Sequence, residues 1–462
     1  MNALGMWYDR LAQFHENERL IAWLQSFRLV HWLNAERRRQ ILFIGAIFAG
    51  VVGTFSRQAD WHDYRSSTPW LVHGAAFLLV FGIVYSLYLA AIHFRRLPAL
   101  IRRRPQICFH FFFWAILLII WFAPEKTEFP LAVLIVVAAS FPYLIWRVGY
   151  MLLSGQRGRA SGSQFRDHLY YIWPVWDGTN TPPGKGYDHL SRAEAQTPEA
   201  YARAILGGIK LLLLVALWKI VMQIMGALIY GDPRNSLTHS LNGLYLGIPR
   251  LKQILGSDAS TPLLVTWISL YLELIWETLF LAVKGHVWVG VLRLFGFNVF
   301  RNTYKPLLAE TLVEFWNRYY YYFKELMMEF FFFPAYVRYF RDRPALRIIV
   351  AVFAAAFVGN MYYHLLQAKD SLIAANVGRL WTVLGPRLIY CFLLASGIAI
   401  SMLRQQKLRG RRDGAAARAG GFPRVWRIAC VWTFFAIINF WNVLANLTIA
   451  ERGRLFLSLF GL

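Results

Sequence analysis

The run LRIIVAVFAAAFVGNMYYHLL, residues 346–366, carries one formally charged side chain, Arg347. Comparable apolar runs occur at 41–56, 70–94, 107–123, 130–150, 205–230, 262–283, 381–403 and 426–449. A helix needs about 20 residues to cross a hydrocarbon core about 30 Å thick. In lipid only helices or closed barrels satisfy every backbone group. Strand-like alternation is absent, so the pattern predicts an all-α, polytopic integral membrane protein of about 9–11 transmembrane or re-entrant helices. The 57% hydrophobic and 17% aromatic content is consistent with that reading and unusual for a soluble domain.

The formal charge is +24. In a soluble chain this would suggest nucleic acid. Here the basic residues lie between apolar runs, so anionic lipid, or the phosphates of a cytoplasmic donor, is the expected counter-charge. The three cysteines, Cys108, Cys391 and Cys430, lie far apart in apolar runs and give neither a disulfide framework nor metal spacing. The eleven histidines show no ligand spacing, so no metal is expected.

Basic residues orient the runs. Arg37, Arg38 and Arg39 precede the first, and Arg95, Arg96, Arg102, Arg103 and Arg104 follow the second. Region 151–204 and the segments before 346 and 426 are also basic, whereas 57–69, 124–129, 231–261 and 367–380 are poor in Lys and Arg. The parity predicts a cytoplasmic N-terminus and an outer C-terminus, with 285–337 crossing an even number of times or dipping in and returning. Residues 1–40 mix charges with Trp7, Leu20, Trp23, Phe27 and Trp32 and read as an amphipathic interfacial segment. Residues 41–462 read as one multi-spanning membrane domain without internal repeats. The turn-rich stretch 174–198 reads as irregular. Its Walker-like string GTNTPPGKG has the wrong glycine spacing and no Ser or Thr after the lysine, and GxSxG, HExxH and CxxC are absent.

Charges enter apolar context between 271 and 366. Glu273 and Glu277 are four residues apart and share a helical face, with Lys284 near the same stripe. A charge in a span is a functional candidate by default, and a structural ion pair meets the same demand for a partner. After Pro306, Glu314, Arg318, Tyr321, Glu325 and Glu329 fall on one stripe of a predicted amphipathic helix, with Asn317, Tyr320 and Lys324 beside it. The four successive tyrosines suit an interfacial belt. His364 lies near the end of the run quoted above, preceded by Gly359, Asn360, Tyr362 and Tyr363. Small and polar residues there favour close helix packing and a wet cavity. An imidazole near a span end is either hydrogen-bonded among headgroups or a base matched to ambient pH.

The order GFNVFRNTYKP, EFWNRYYYYFKE, GNMYYHLL resembles the membrane-bound O-acyltransferase family, whose members carry a Gly-Phe element, an Asn-x-x-x-Pro element, an F-W-x-x-W-[HN] helix and a W-H pair. The matching residues are Gly296 and Phe297, Asn302 and Pro306, Phe315 and Trp316, and His364. The resemblance covers about 100 residues, a family-like core at 264–366. It implies helices enclosing a central tunnel, and transfer of an acyl group from a thioester to a hydroxyl with His364 as general base. Two positions depart from the pattern. Tyr363 replaces the tryptophan before the histidine, and Tyr320 stands where the family has His or Asn. Tyr320 can still donate to a carbonyl or oxyanion, and Asn317, one turn earlier, is an alternative amide; the site is either rewired or degenerate.

The expected catalytic residues are therefore His364, Tyr320 and Asn317, with Lys324, Trp316 and Glu277 as substrate contacts. No bound cofactor is expected. The co-substrate would be an acyl thioester, acyl-CoA or an acyl-carrier protein, on the cytoplasmic side. The acceptor would be a lipid, sugar or surface-polymer hydroxyl, the other partners membrane lipids, and the location a bacterial inner membrane. His364 lies 17 residues beyond Arg347, roughly 26 Å along a helix, which puts it nearer the outer face. The competing readings are a non-catalytic relative acting as a lipid or polymer carrier or a partner subunit, and an ion-coupled transporter using Glu273 and Glu277.

Overall fold

The computed structural model describes residues 13–56, 69–123, 129–160, 162–175, 181–182, 185–256, 261–410, 423–443 and 447–461. Among them the regular structure is helical, with a single isolated bridge between Glu194 and Phe297. Eight helices are long and apolar enough to cross a membrane: Ala35–Phe55, Trp70–Ile92, Pro105–Phe122, Phe129–Gln156, Pro198–Leu228, Leu263–Leu294, Pro344–Gln367 and Val377–Lys407. The protein is an all-α polytopic membrane protein.

The ninth expected span, 426–449, is not realised at that length. The helix there is Arg424–Asn439, 16 residues, about 24 Å and short of a bilayer core. A second helix, Ile449–Ser458, starts afresh, with Thr448 and Glu451 capping each other. The stretch 174–198 is also not wholly irregular. Gly186, at φ +100°, leads into a helix at Tyr187–Ala193. Ser154 Oγ donates to Asp188 in its first turn at 2.7 Å. Most of the Walker-like string, the loops at 57–68 and 124–128, and the basic loop 411–422 lie outside the described residues.

The chain divides into two compact units, each assembled from separated segments. One comprises Met1–Leu213, Val287–Phe300 and Lys369–Asn376. Its centre is the Phe129–Gln156 helix, whose most apolar window is 83% buried where most other spans are near 30%. Gly155 allows the close crossing with Pro69–Ile92: a Cβ there would come within 2.8 Å of the Ala91 Cα. Inside this unit Arg147 is fully buried, donates to the Tyr171 carbonyl at 3.1 Å and lies over the Tyr143 ring. The N-terminal helices Glu18–Gln25 and Arg28–Trp32 bury Ile21 and Val30 against this unit and leave Trp23, Phe27, Leu29 and Trp32 exposed.

The other unit comprises Leu214–His286, Arg301–Ala368 and Val377–Leu462. Within it the Arg424–Asn439 helix packs along 306–315. Phe435 stacks on Phe315 with centroids 3.8 Å apart, Trp432 Nε1 donates to the Leu307 carbonyl at 2.8 Å, and Arg427 pairs with Glu310 at 2.7 Å.

Candidate functional site

The predicted long amphipathic helix after Pro306 is broken at Tyr320 (φ −138°, ψ 76°) into Leu312–Tyr319 and Tyr321–Met327. The single stripe expected from Glu314 to Glu329 therefore does not exist as one face. The cause is the preceding segment 302–304, which docks at the break and occupies the helix ends. Tyr304 N donates to the Arg318 carbonyl at 2.8 Å, and Thr303 Oγ1 to the Tyr319 carbonyl at 3.0 Å. In return Tyr321 N donates to the Asn302 carbonyl at 2.9 Å, and Tyr322 N to Asn302 Oδ1 at 3.2 Å. Asn302 is 1% exposed and leans on Gly285, where a Cβ would lie 2.8 Å from its own. The Asn of the Asn-x-x-x-Pro element thus holds the break that places Tyr320.

The two following helices each contain a widened π-helical turn, at Met328–Phe332 and Phe353–Gly359, and these turns pack on one another. Pro334 lacks the N–H that the Phe330 carbonyl would accept in an α-helix, so the chain widens just before it. In the second turn Asn360 N reaches back five residues to the Ala355 carbonyl. Such turns recur at functional sites in other proteins.

His364 follows on Asn360–Gln367. Its ring lies 6.1 Å from Tyr363, whose ring meets Phe323 at 4.8 Å. Phe323 also contacts Tyr320 at 5.4 Å and Trp316 at 6.0 Å. The structure therefore gathers Trp316, Tyr320 and Tyr363 around one buried phenyl ring, next to His364. The imidazole is half-buried and makes no hydrogen bond to a described residue.

The other expected residues are placed differently. Asn317 is exposed on Leu312–Tyr319 and is not brought to the aromatic cluster. Lys324 pairs with its neighbour Glu325 and lies 4.6 Å from the Tyr321 ring. Glu277 sits among Glu273, Arg250 and Lys284. Glu273 itself is buried and salt-bridged to Arg250 at 2.6 Å, while the Arg250 guanidinium also covers Trp276 at 4.3 Å. Gly296 and Phe297 belong to the first unit. Gly296, at φ +89°, accepts from Ala195 N at 2.8 Å and leaves room for Arg38, which a Cβ would approach to 3.0 Å.

Sequence reasoning passed over Arg387. It lies on the Val377–Gly410 helix, which packs against Asn360–Gln367. The signal was present: a basic residue inside the run 381–403, directly after Pro386.

Chemically, the arrangement offers an imidazole that makes no hydrogen bond to a described residue, beside an aromatic wall, with a helix that carries Arg387 and Tyr390 packed against its own. A scan against protein-family models and a search of curated proteins each find no match to this chain.

Proposed function

We propose that this protein is a membrane-embedded O-acyltransferase of the membrane-bound O-acyltransferase type, with His364 as its general base. The observation that carries the reading is the half-buried imidazole of His364, without a hydrogen-bond partner among the described residues, beside the Trp316–Tyr320–Phe323–Tyr363 cluster. In this reading His364 takes the proton of an acceptor hydroxyl as its oxygen attacks the thioester carbonyl. The tetrahedral intermediate collapses with cleavage of the C–S bond, and the imidazolium returns its proton to the departing sulfur. The products are an ester and a free thiol. A base of this kind contributes about 10²–10⁴-fold, with the remainder supplied by holding donor and acceptor together and by donors facing the oxyanion. Tyr320 is the nearer candidate for such a donor, since Asn317 is exposed.

The donor is an acyl thioester, acyl-CoA or an acyl-carrier protein, entering from the basic cytoplasmic side of a bacterial inner membrane. The acceptor is a lipid, sugar or surface-polymer hydroxyl arriving from outside, through a tunnel between the helices. The test is His364→Ala in the purified, folded full chain, incubated with acetyl, D-alanyl and long-chain thioesters and scored for ester formation. A fall of about 10²–10⁴-fold is expected. Unchanged transfer overturns the reading.

A further inference from the structure

Leu217, Ile220, Ile224 and Leu228 are exposed along one face of the membrane-spanning Pro198–Leu228 helix. On a span, such a face meets acyl chains. The chain stays with this end of the helix after Leu228. It turns at Gly231, φ +62°, and comes back so that Leu246 N donates to the Leu228 carbonyl and Ile248 N to the Ile229 carbonyl, both at 2.9 Å. Asn235 fastens the outgoing limb: its Nδ2 donates to the Gln223 carbonyl at 2.6 Å, and its Oδ1 accepts from Leu237 N at 3.1 Å. The Tyr245 ring lies against Gly231, where a Cβ would collide with it. Leu246 is therefore held level with the last turn of the span, on the apolar side of Asp232.

The returning limb is apolar and bare. Leu244 is 76% and Leu246 73% exposed, and no residue between Arg234 and Arg250 carries a formal charge. Arg250 itself is paired with Glu273. The backbone has little need of water here. Leu244 N donates to the Leu241 carbonyl at 2.9 Å and Tyr245 N to the Gly243 carbonyl at 3.0 Å, which adds two bonded amides to those of Leu246 and Ile248.

We infer that loop 241–248 is a lipid anchor, with its backbone at the headgroup boundary and Leu244 and Leu246 inserted among the phospholipid acyl chains of the adjoining leaflet. Three observations favour lipid over a second copy or another protein: the register of Leu246 with the end of the span, the continuation of the lipid-facing ridge that ends at Leu228, and the absence of charge. Interfacial elements sink apolar side chains about 5–10 Å into this boundary. Tyr245, between the two leucines, suits it too, with ring apolar and hydroxyl wet. The anchor is independent of acyl transfer.

The test puts photoreactive p-benzoyl-phenylalanine in place of Leu246 in the full chain, reconstituted in palmitoyl-oleoyl-phosphatidylcholine vesicles and irradiated. The same label at Ile220, exposed on the span, and at Asp342, in an exposed polar turn, provides the upper and lower references. The chain should gain the mass of one phospholipid at position 246 as readily as at 220, and several-fold more than at 342. Alkaline hydrolysis should then leave a fatty acid on the labelled peptide. Glycerophosphocholine left there instead, a main product of twice the chain's mass, or a lipid yield no higher than at 342 overturns the inference. A label in place of Leu244 repeats the measurement, so failure of one variant to fold leaves the test intact.

Discussion

Gly359 and Phe331 meet across two π-helical turns so closely that a Cβ on Gly359 would lie 2.7 Å from the Phe331 ring. Met327 Sδ closes the other side at 3.0 Å. The contact explains how two helices, each with an irregular turn, approach one another just ahead of His364. A side chain at 359 would separate the helices or push Phe331 off its rotamer.

Gly359→Ala should therefore destabilise the protein, although alanine is the better helix former by about 1 kcal/mol. Overpacking of a rigid contact costs typically about 1–3 kcal/mol, which exceeds the propensity gain. Gly53, in Ala35–Phe55, has nothing within 4 Å of its would-be Cβ. Gly53→Ala should leave stability unchanged or raise it slightly. Thermal unfolding of both variants in one detergent checks the pair: equal midpoints would show that the 359–331 contact yields.

Asn302→Ala should loosen the break at Tyr320. The substitution removes the Oδ1 acceptor of Tyr322 N at a position 1% exposed, and a buried amide left without its partner costs about 1–3 kcal/mol. Asn302→Asp keeps the acceptor but buries a charge, so it should not rescue. Hydrogen exchange at Tyr321 and Tyr322 reports the effect directly; protection equal to that of the wild type would contradict the pinning role of Asn302.

These two positions also mark how far the sequence could be read. Eight of the nine expected spans were legible because a run such as 346–366 has no soluble alternative, and their edges moved outward where the helix continues past the apolar run, as at Ala35 and Leu294. The break at Tyr320 was not legible. It follows from the docking of Asn302, Thr303 and Tyr304 on the helix ends, a tertiary event that periodicity does not encode. Nor were the π-helical turns, although Pro334 hinted at one. The division into two units leaves no trace in composition because each unit is assembled from interleaved segments. Of the candidate site, His364, Tyr320 and Trp316 do fall around one aromatic cluster, whereas Asn317 points outward because Phe315 takes the buried face of its short helix. Arg387 was readable by the same rule that singled out Glu273.

Stability should fall on mild acidification because of His168. This residue, in Phe165–Ile172, is 1% exposed; its Nε2 bonds Ser163 Oγ at 2.8 Å and its Nδ1 is sealed without a partner. Burial lowers its pKa from 6.5 to about 4. Above pH 6.5 both folded and unfolded chains hold it neutral. Between 6.5 and about 4 the unfolded chain takes up the proton first, so stability declines as the pH drops through this window, by up to roughly 3 kcal/mol. His168→Gln should remove this component, and a variant whose unfolding midpoint keeps the full wild-type slope between pH 7 and 5 would exclude His168 as its source.

The last prediction separates a structural from a transporting role for the carboxylates of Leu263–Leu294. Glu273 is buried, bonded to Arg250 by two contacts at 2.6 and 3.3 Å, and Arg250 is itself enclosed by Trp276 and Tyr230. Such a pair fixes the 249–250 segment on the helix, where Ser269 Oγ also donates to the Pro249 carbonyl at 2.8 Å. Glu273→Gln leaves the guanidinium without its counter-charge and should cost about 3 kcal/mol, since breaking one side of a buried pair is more harmful than replacing both. Glu273→Leu combined with Arg250→Met should recover much of that loss. In a proton-coupled transporter the order differs: Glu273→Gln would abolish gradient-driven uptake into proteoliposomes, and the double variant would not restore it. Stability that recovers in the double variant, in vesicles that show no gradient-driven flux with the wild type, assigns Glu273 to architecture.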